Sequence, residues 1–116
     1  MLYFDHSASS PPKEEVIRTV SEVMAQIYAN PSSLHRSGAE ARKLLERARE
    51  QAARLFGTEP SEWRFTSGGT ESNNLAIFGA ARRYRNRGRH LIVSAVEHPS
   101  VAEPFRALER EGFRVT

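Results

Sequence analysis

The sequence predicts an α/β fold, with a helical N-terminal segment followed by strands and helices in the order βαβαβ. Three observations carry this. Apolar residues recur at helical spacing in two stretches before residue 57. Beyond Gly57, short apolar runs alternate with amphipathic stretches. Glycine or proline marks most of the junctions between them. Strands alternating with helices of this length imply a parallel sheet covered by helices.

The elements follow in order. Leu2-Tyr3-Phe4 reads as a short strand that ends in a polar turn, Asp5 to Pro12. Pro11 and Pro12 pre-set the backbone for a helix start. From Lys13 to about Ala29, Val16, Val20, Val23, Met24 and Ile27 define one apolar face. Asn30-Pro31-Ser32-Ser33 breaks that helix, because a residue before proline avoids the α region. A second helix is predicted from about Ser37 to Phe56, with Gly57 as its C-terminal cap. Trp63 to Thr66 reads as a strand, Ser67-Gly68-Gly69-Thr70 as a turn, and Glu71 to Arg87 as a third helix closed by Gly88. His90 to Ala95 has the continuous apolar character of a buried strand. Ser100 and Glu103 have the spacing of a capping box for a fourth helix, which Gly112 ends. Phe113 to Thr116 alternates like a strand. The division expected is residues 1–57, a strand with two helices, and residues 58–116, the start of an α/β domain. Because the chain stops inside its last strand, it reads as a piece of a larger fold.

Composition narrows the function classes. The 116 residues are 39% hydrophobic and 27% charged, with a net charge of +3. No apolar run approaches the roughly 20 residues of a spanning helix, and the N-terminus lacks the pattern of a signal peptide. No membrane association is expected. The absence of cysteine removes disulfides, zinc ribbons and thiol nucleophiles, and makes a cytoplasmic location the expectation. The four histidines, at 6, 35, 90 and 98, have no spacing that suggests zinc, so no metal site is expected. The positive excess comes from Arg82, Arg83, Arg85, Arg87 and Arg89. Clustered arginines can bind nucleic acid, but no nucleic-acid motif accompanies them. A solvated helix end whose cations complement the helix dipole is the simpler reading.

Two stretches can carry chemistry. Ser67-Gly68-Gly69-Thr70-Glu71 follows a predicted strand and opens a helix. Glycines let a ligand approach the backbone, and the first helical N–H groups lack intrahelical partners. With the helix dipole they favour phosphate or another anion. The same pattern also suits a tight turn with no ligand, and it matches neither a Walker loop nor a dinucleotide fingerprint. The second stretch is Glu97-His98-Pro99-Ser100, just beyond the strand His90–Ala95. Ligands of open α/β sheets bind at that edge, so His98 and the glycine turn should lie on the same side. Its imidazole could stack on a flat ring or shuttle a proton. A histidine beside a proline is also at home as a hydrogen-bonded loop residue.

Taken as a set, the motifs resemble a known family. Asp5-His6-Ser7-Ala8-Ser9-Ser10-Pro11, Asn30-Pro31-Ser32-Ser33-Leu34-His35, Ser67-Gly68-Gly69-Thr70-Glu71-Ser72-Asn73-Asn74 and Glu97-His98 occur in the order found in cysteine desulfurases. These are pyridoxal-phosphate (PLP) enzymes of the class V aminotransferase family, with the large mixed sheet of fold type I. The resemblance runs from Leu2 to Thr116, and the Asn30–His35 form is that of the group I desulfurases of iron–sulfur cluster assembly. Ser9-Ser10 departs from the Thr-Thr of many relatives but keeps the hydroxyls.

The resemblance implies that Gly69 and Thr70 hold the PLP phosphate, and that His98 stacks on the pyridine ring and takes part in acid–base steps. It implies L-cysteine as the substrate, alanine and an enzyme persulfide as the products, and a homodimer. A sulfur-acceptor or scaffold protein would be a further partner. The Asp5–Ser10 and Asn30–His35 segments resemble those at the active-site entrance or dimer contact. Family members are several times longer, and their Schiff-base lysine and persulfide cysteine lie beyond Thr116. The chain alone is therefore expected to be inactive, and to bind PLP weakly at most. Its only lysines are Lys13 and Lys43, and neither follows a strand at the site. Two alternatives stay open. One is a fragment of another class V enzyme, such as a selenocysteine lyase or an aminotransferase, and the other is a non-catalytic interaction fragment.

Overall fold

The structure, a computed structural model, describes residues 2–116 and divides into two compact units, Met1–Trp63 and Arg64–Thr116. The first contains helices α1 (Glu14–Gln26) and α2 (Arg36–Phe56) and a 3₁₀ turn, Pro60–Glu62. The second contains α3 (Gly69–Tyr84), β1 (His90–Leu91), α4 (Pro99–Arg110) and β2 (Arg114–Val115). Helices dominate, and the strands form one small parallel sheet.

In the first unit the N-terminal segment is not a strand. The Tyr3 hydroxyl donates to the carbonyls of Asp5 (3.0 Å) and Ser9 (3.1 Å) and so closes the turn behind it. A strand exists only through a ladder partner, and Leu2 and Phe4 are exposed. Helix α1 has an apolar face, yet it buries no residue. It also stops at Gln26, three residues before the predicted end. Helix α2 buries Gly38, Ala41 and Ala53. At its end Gly57 adopts φ 64°, and the N–H groups of Gly57 and Thr58 both donate to the Ala53 carbonyl. That left-handed cap suits glycine. The chain then turns back so that Trp63 reaches Phe56, with ring centroids 5.1 Å apart, and donates from Nε1 to the Thr58 hydroxyl at 2.7 Å.

The second unit is built around Leu108, which is fully buried, with Ala81 and Phe113. Ile77, Phe78 and Leu91 close around them. Strands β1 and β2 pair His90 with Arg114 and Leu91 with Val115. The ladder extends past them, because Val93 N–H donates to the Thr116 carbonyl at 2.9 Å. The predicted strand Trp63–Thr66 lies outside the sheet, whose order is β1-β2 alone among the described residues. Trp63 has extended dihedrals, so the backbone there is strand-like without joining this ladder. Leu91 faces the core while Ile92 is 76% exposed. A parallel sheet is normally covered on both faces, and here one face is open.

Much of the arginine run is engaged within the chain. Arg82 pairs with Glu111 at 2.7 Å and lies over the Phe78 ring. Arg87 lies over Tyr84, and Arg89 over Phe113. Glu111 holds the Arg82 guanidinium protonated by hydrogen bond and charge, and Arg82 lowers the Glu111 carboxyl in return.

Candidate functional site

The site grows from two helix starts in the second unit. Helix α3 begins at Gly69, two residues earlier than its apolar spacing predicts. The preceding turn is pinned by side chains rather than by a cap on the helix. Glu71 turns back to accept from the Ser67 N–H (2.7 Å) and hydroxyl (2.6 Å). These bonds hold its carboxyl below the ordinary 4.5. Thr66 adds a hydroxyl contact to Ser72 at 2.6 Å. Gly68 offers no side-chain cap, so the first amides of α3 leave the helix end without an acceptor from that residue. A Cβ placed on Gly68 or Gly69 would meet nothing within 4 Å. The space in front of these glycines is open to a ligand.

Helix α4 is capped two residues earlier than the capping box predicts. Its N-cap is His98, with Pro99 at the first helical position. The His98 Nδ1 accepts from the Ser100 N–H at 3.1 Å and contacts the Ser100 hydroxyl at 2.8 Å. Ser100 therefore does not cap, and Glu103 pairs with Arg106 instead. A proline at the first helical position identifies the residue before it as the cap, and that signal was present in the sequence.

The two starts are neighbours. Asn73, in the first turns of α3, donates from Nδ2 to the Ser100 hydroxyl of α4 at 2.9 Å. Thr70, Asn74, His98, Pro99 and Ser100 line one end of a cleft of about 500 Å³. It continues between α3 and α4 past Phe78 and Pro104. Of the residues singled out from sequence, Thr70 and His98 thus share one cleft, and Gly69 precedes Thr70 on the same helix end. The tie between Asn73 and Ser100 is what sequence reasoning missed. Their contact spans 27 positions, and no local pattern announces it.

The arrangement can seat an anion against uncapped amides and a threonine hydroxyl, with an imidazole alongside. Helix N-termini favour negative charge. The residues fit PLP on that count: open space before the glycines, a hydroxyl at Thr70, and His98 at the cleft wall. Lys13 and Lys43 belong to the other unit, and both are exposed.

Comparison with known proteins adds the following. The sequence model of the family "Aminotransferase class-V" matches residues 2–116. A "NifS/IcsS protein homolog" of Lactobacillus delbrueckii subsp. bulgaricus is 52% identical over 116 residues, covering all of this chain and 30% of that protein. A "Cysteine desulfurase" of Homo sapiens is 47% identical over 116 residues, covering 99% of this chain and 25% of the relative. Among solved structures, "SspA in complex with cysteine" superposes with a TM-score of 0.87 at 40% identity, over 98% of this chain and 33% of that one. The chain thus spans a third or less of the proteins it matches.

Proposed function

From the premise that this chain belongs to the class V aminotransferase family, we propose that it is the N-terminal portion of a PLP-dependent cysteine desulfurase. The full protein would take sulfur from L-cysteine, giving alanine and an enzyme persulfide for iron–sulfur cluster or other sulfur-transfer pathways. The observation that carries this reading is the shared cleft of Thr70 and His98 at two adjoining helix starts. Relatives named cysteine desulfurase and a solved structure described as in complex with cysteine support it. Gly69 and Thr70 hold the phosphate, by backbone N–H and hydroxyl. His98 stacks on the pyridine ring and serves in acid–base steps. When bound, PLP supplies the electron sink for bond breaking at the substrate. Residues 58–116 begin the cofactor-binding domain, and residues 1–57 form a segment that packs against a second subunit, the rest of the full protein, or both. The cytoplasm is the compartment this reading implies.

The chain has no cysteine to carry a persulfide, and neither lysine lies in the unit that holds Thr70 and His98. Alone it should release no sulfide from L-cysteine. The test of the site is binding of PLP against pyridoxal, which lacks the phosphate. A hydrogen bond to a charged group contributes about 1.5–3 kcal/mol, so Thr70→Ala should weaken PLP binding roughly tenfold to a hundredfold. Pyridoxal, already without the phosphate, should be indifferent to the change. Equal affinity for PLP and pyridoxal, or a Thr70→Ala variant that binds PLP unchanged, overturns the assignment.

A further inference from the structure

We propose that Asn73 and Ser100 are positioning residues for His98: the Ser100 N–H holds the ring as the Nε2–H tautomer, and the relay Asn73 Nδ2 to Ser100 Oγ to His98 Nδ1 turns a second donor onto the same nitrogen. This deepens the proposed function, because it rests on His98 serving the cofactor site. The argument starts from donors. A backbone N–H can only donate, and the Ser100 N–H points at Nδ1 from 3.1 Å. Nδ1 is therefore the unprotonated nitrogen of the ring. The Ser100 hydroxyl lies 2.8 Å from the same atom, and its oxygen accepts from the Asn73 amide at 2.9 Å. An amide NH₂ has no lone pair to offer a hydroxyl proton. With the oxygen engaged by Asn73, the hydroxyl proton turns to Nδ1. Two donors then converge on one ring nitrogen.

The consequence is directional. The proton stays on Nε2, which makes no hydrogen bond among the described residues, while His98 lines the cleft. A ring held on its Nδ1 edge offers the ligand one face and a single N–H. Asn73 and Ser100 are partly buried, so water competes less for these bonds than for the exposed His98. The relay also ties the start of α3 to the start of α4, so the phosphate end of the site and the imidazole are set against each other by one side-chain contact.

The test is nitrogen-15 NMR of the His98 ring in the 116-residue chain without cofactor, at a pH where the imidazole is neutral. The expected pattern is protonated Nε2 and unprotonated Nδ1, with the Nδ1 resonance upfield of an unbonded nitrogen. Asn73→Asp keeps the shape of the side chain but replaces a donor by an acceptor. The hydroxyl proton then turns to the carboxylate, and the Nδ1 resonance moves downfield. Ser100→Ala should give the same downfield shift, and Ser100→Thr, which keeps the hydroxyl, should restore the original position. A purely structural role for Asn73 and Ser100 would not produce that paired shift and rescue. An Nδ1–H tautomer in the parent chain overturns the proposal, as does an Nδ1 resonance that ignores both Asn73→Asp and Ser100→Ala. These readouts need no PLP, so their outcome is separate from the binding test of Thr70.

Discussion

Replacing Gly38 by alanine sets two effects of opposite sign against each other. Gly38 occupies the first turn of α2, where alanine is the better helix former by about 0.8–1 kcal/mol. Helix propensity alone therefore predicts a gain. The packing predicts a loss. A Cβ at Gly38 would stand 2.4 Å from the Ser33 carbonyl oxygen, 2.8 Å from the Ser33 Cβ and 2.9 Å from the Asn30 carbonyl oxygen. Two of these neighbours are backbone atoms and the third is fixed to the backbone, so no flexible side chain can swing aside.

The Asn30–Ser33 turn is also held from other sides. Asn30 Oδ1 accepts from the Ser32 N–H at 2.8 Å, and Arg42 donates to the carbonyls of Pro31 (2.9 Å) and Ser33 (3.3 Å). His35 caps α2 by accepting from the Gly38 N–H at 3.3 Å. Relieving the clash means moving this turn and stretching those bonds. Overpacking of a well-filled site costs about 1–3 kcal/mol, and each strained hydrogen bond adds up to about 1 kcal/mol. The net expectation is a loss of about 1–3 kcal/mol after the propensity gain is subtracted. Trp63, the single tryptophan, belongs to the same unit, so its fluorescence in a urea titration reads this unit. A Gly38→Ala midpoint equal to or above that of the parent would refute the steric argument.

Three further outcomes are expected. Leu108→Ala empties the centre of the second unit, where Leu108 is 0% exposed, and should cost about 2–5 kcal/mol. Amide exchange in α3 and α4 measures it, and unchanged protection would contradict the core assignment. The Ser67 amide resonance should follow the protonation of Glu71. That carboxyl is lowered from 4.5 by its bonds to Ser67, so the clasp persists above 4.5 and is lost as pH falls through the lower folded value. A midpoint at or above 4.5 contradicts it, and Glu71→Gln should remove the titration. The open face of α1, where Val16, Ile17, Val20 and Met24 are 50–72% exposed, should bind a hydrophobic dye or bring about self-association. A monomer that excludes the dye would count against a packing surface there.

The helices were legible because each carries its own period and punctuation. The apolar spacing of α2 and the αL glycine after it, or Gly112 with φ 89° after α4, are decided within a few residues. The strands were less legible because a strand is a property of a pair. Leu2–Phe4 and Trp63–Thr66 have strand composition, and neither joins the sheet. Of the predicted strand His90–Ala95 only His90–Leu91 joins it as β1, with one further bond from Val93, because Arg114 and Val115 lie alongside. The capping of α4 was misplaced for a local reason. A Ser-x-x-Glu pattern competed with a proline that marks its predecessor as the cap, and the proline decided the register.

The two histidines that precede helices show why part of a site can be read from sequence and part cannot. His35 and His98 do the same backbone work, each accepting through Nδ1 from an amide in the first turn of its helix. Sequence places each two residues before a predicted helix start, at Ser37 and Ser100. What separates them is supplied by the fold. At His35 the Asn30–Ser33 turn packs against the first turn of α2 and crowds Gly38 until no Cβ fits, while a cleft of about 360 Å³ beside it is lined by His35, Ser37 and Glu40 without a second helix start. At His98 a second helix start stands beside it, and Asn73 reaches across to Ser100. There the neighbouring glycines face open space. A helix start packed against its own preceding turn has the geometry of a structural joint, whereas at the second site the start of α3 and the imidazole that caps α4 are tied side by side at one cleft. The chemistry proposed for Thr70 and His98 would thus draw on a contact between residues 27 positions apart, which only folding brings together.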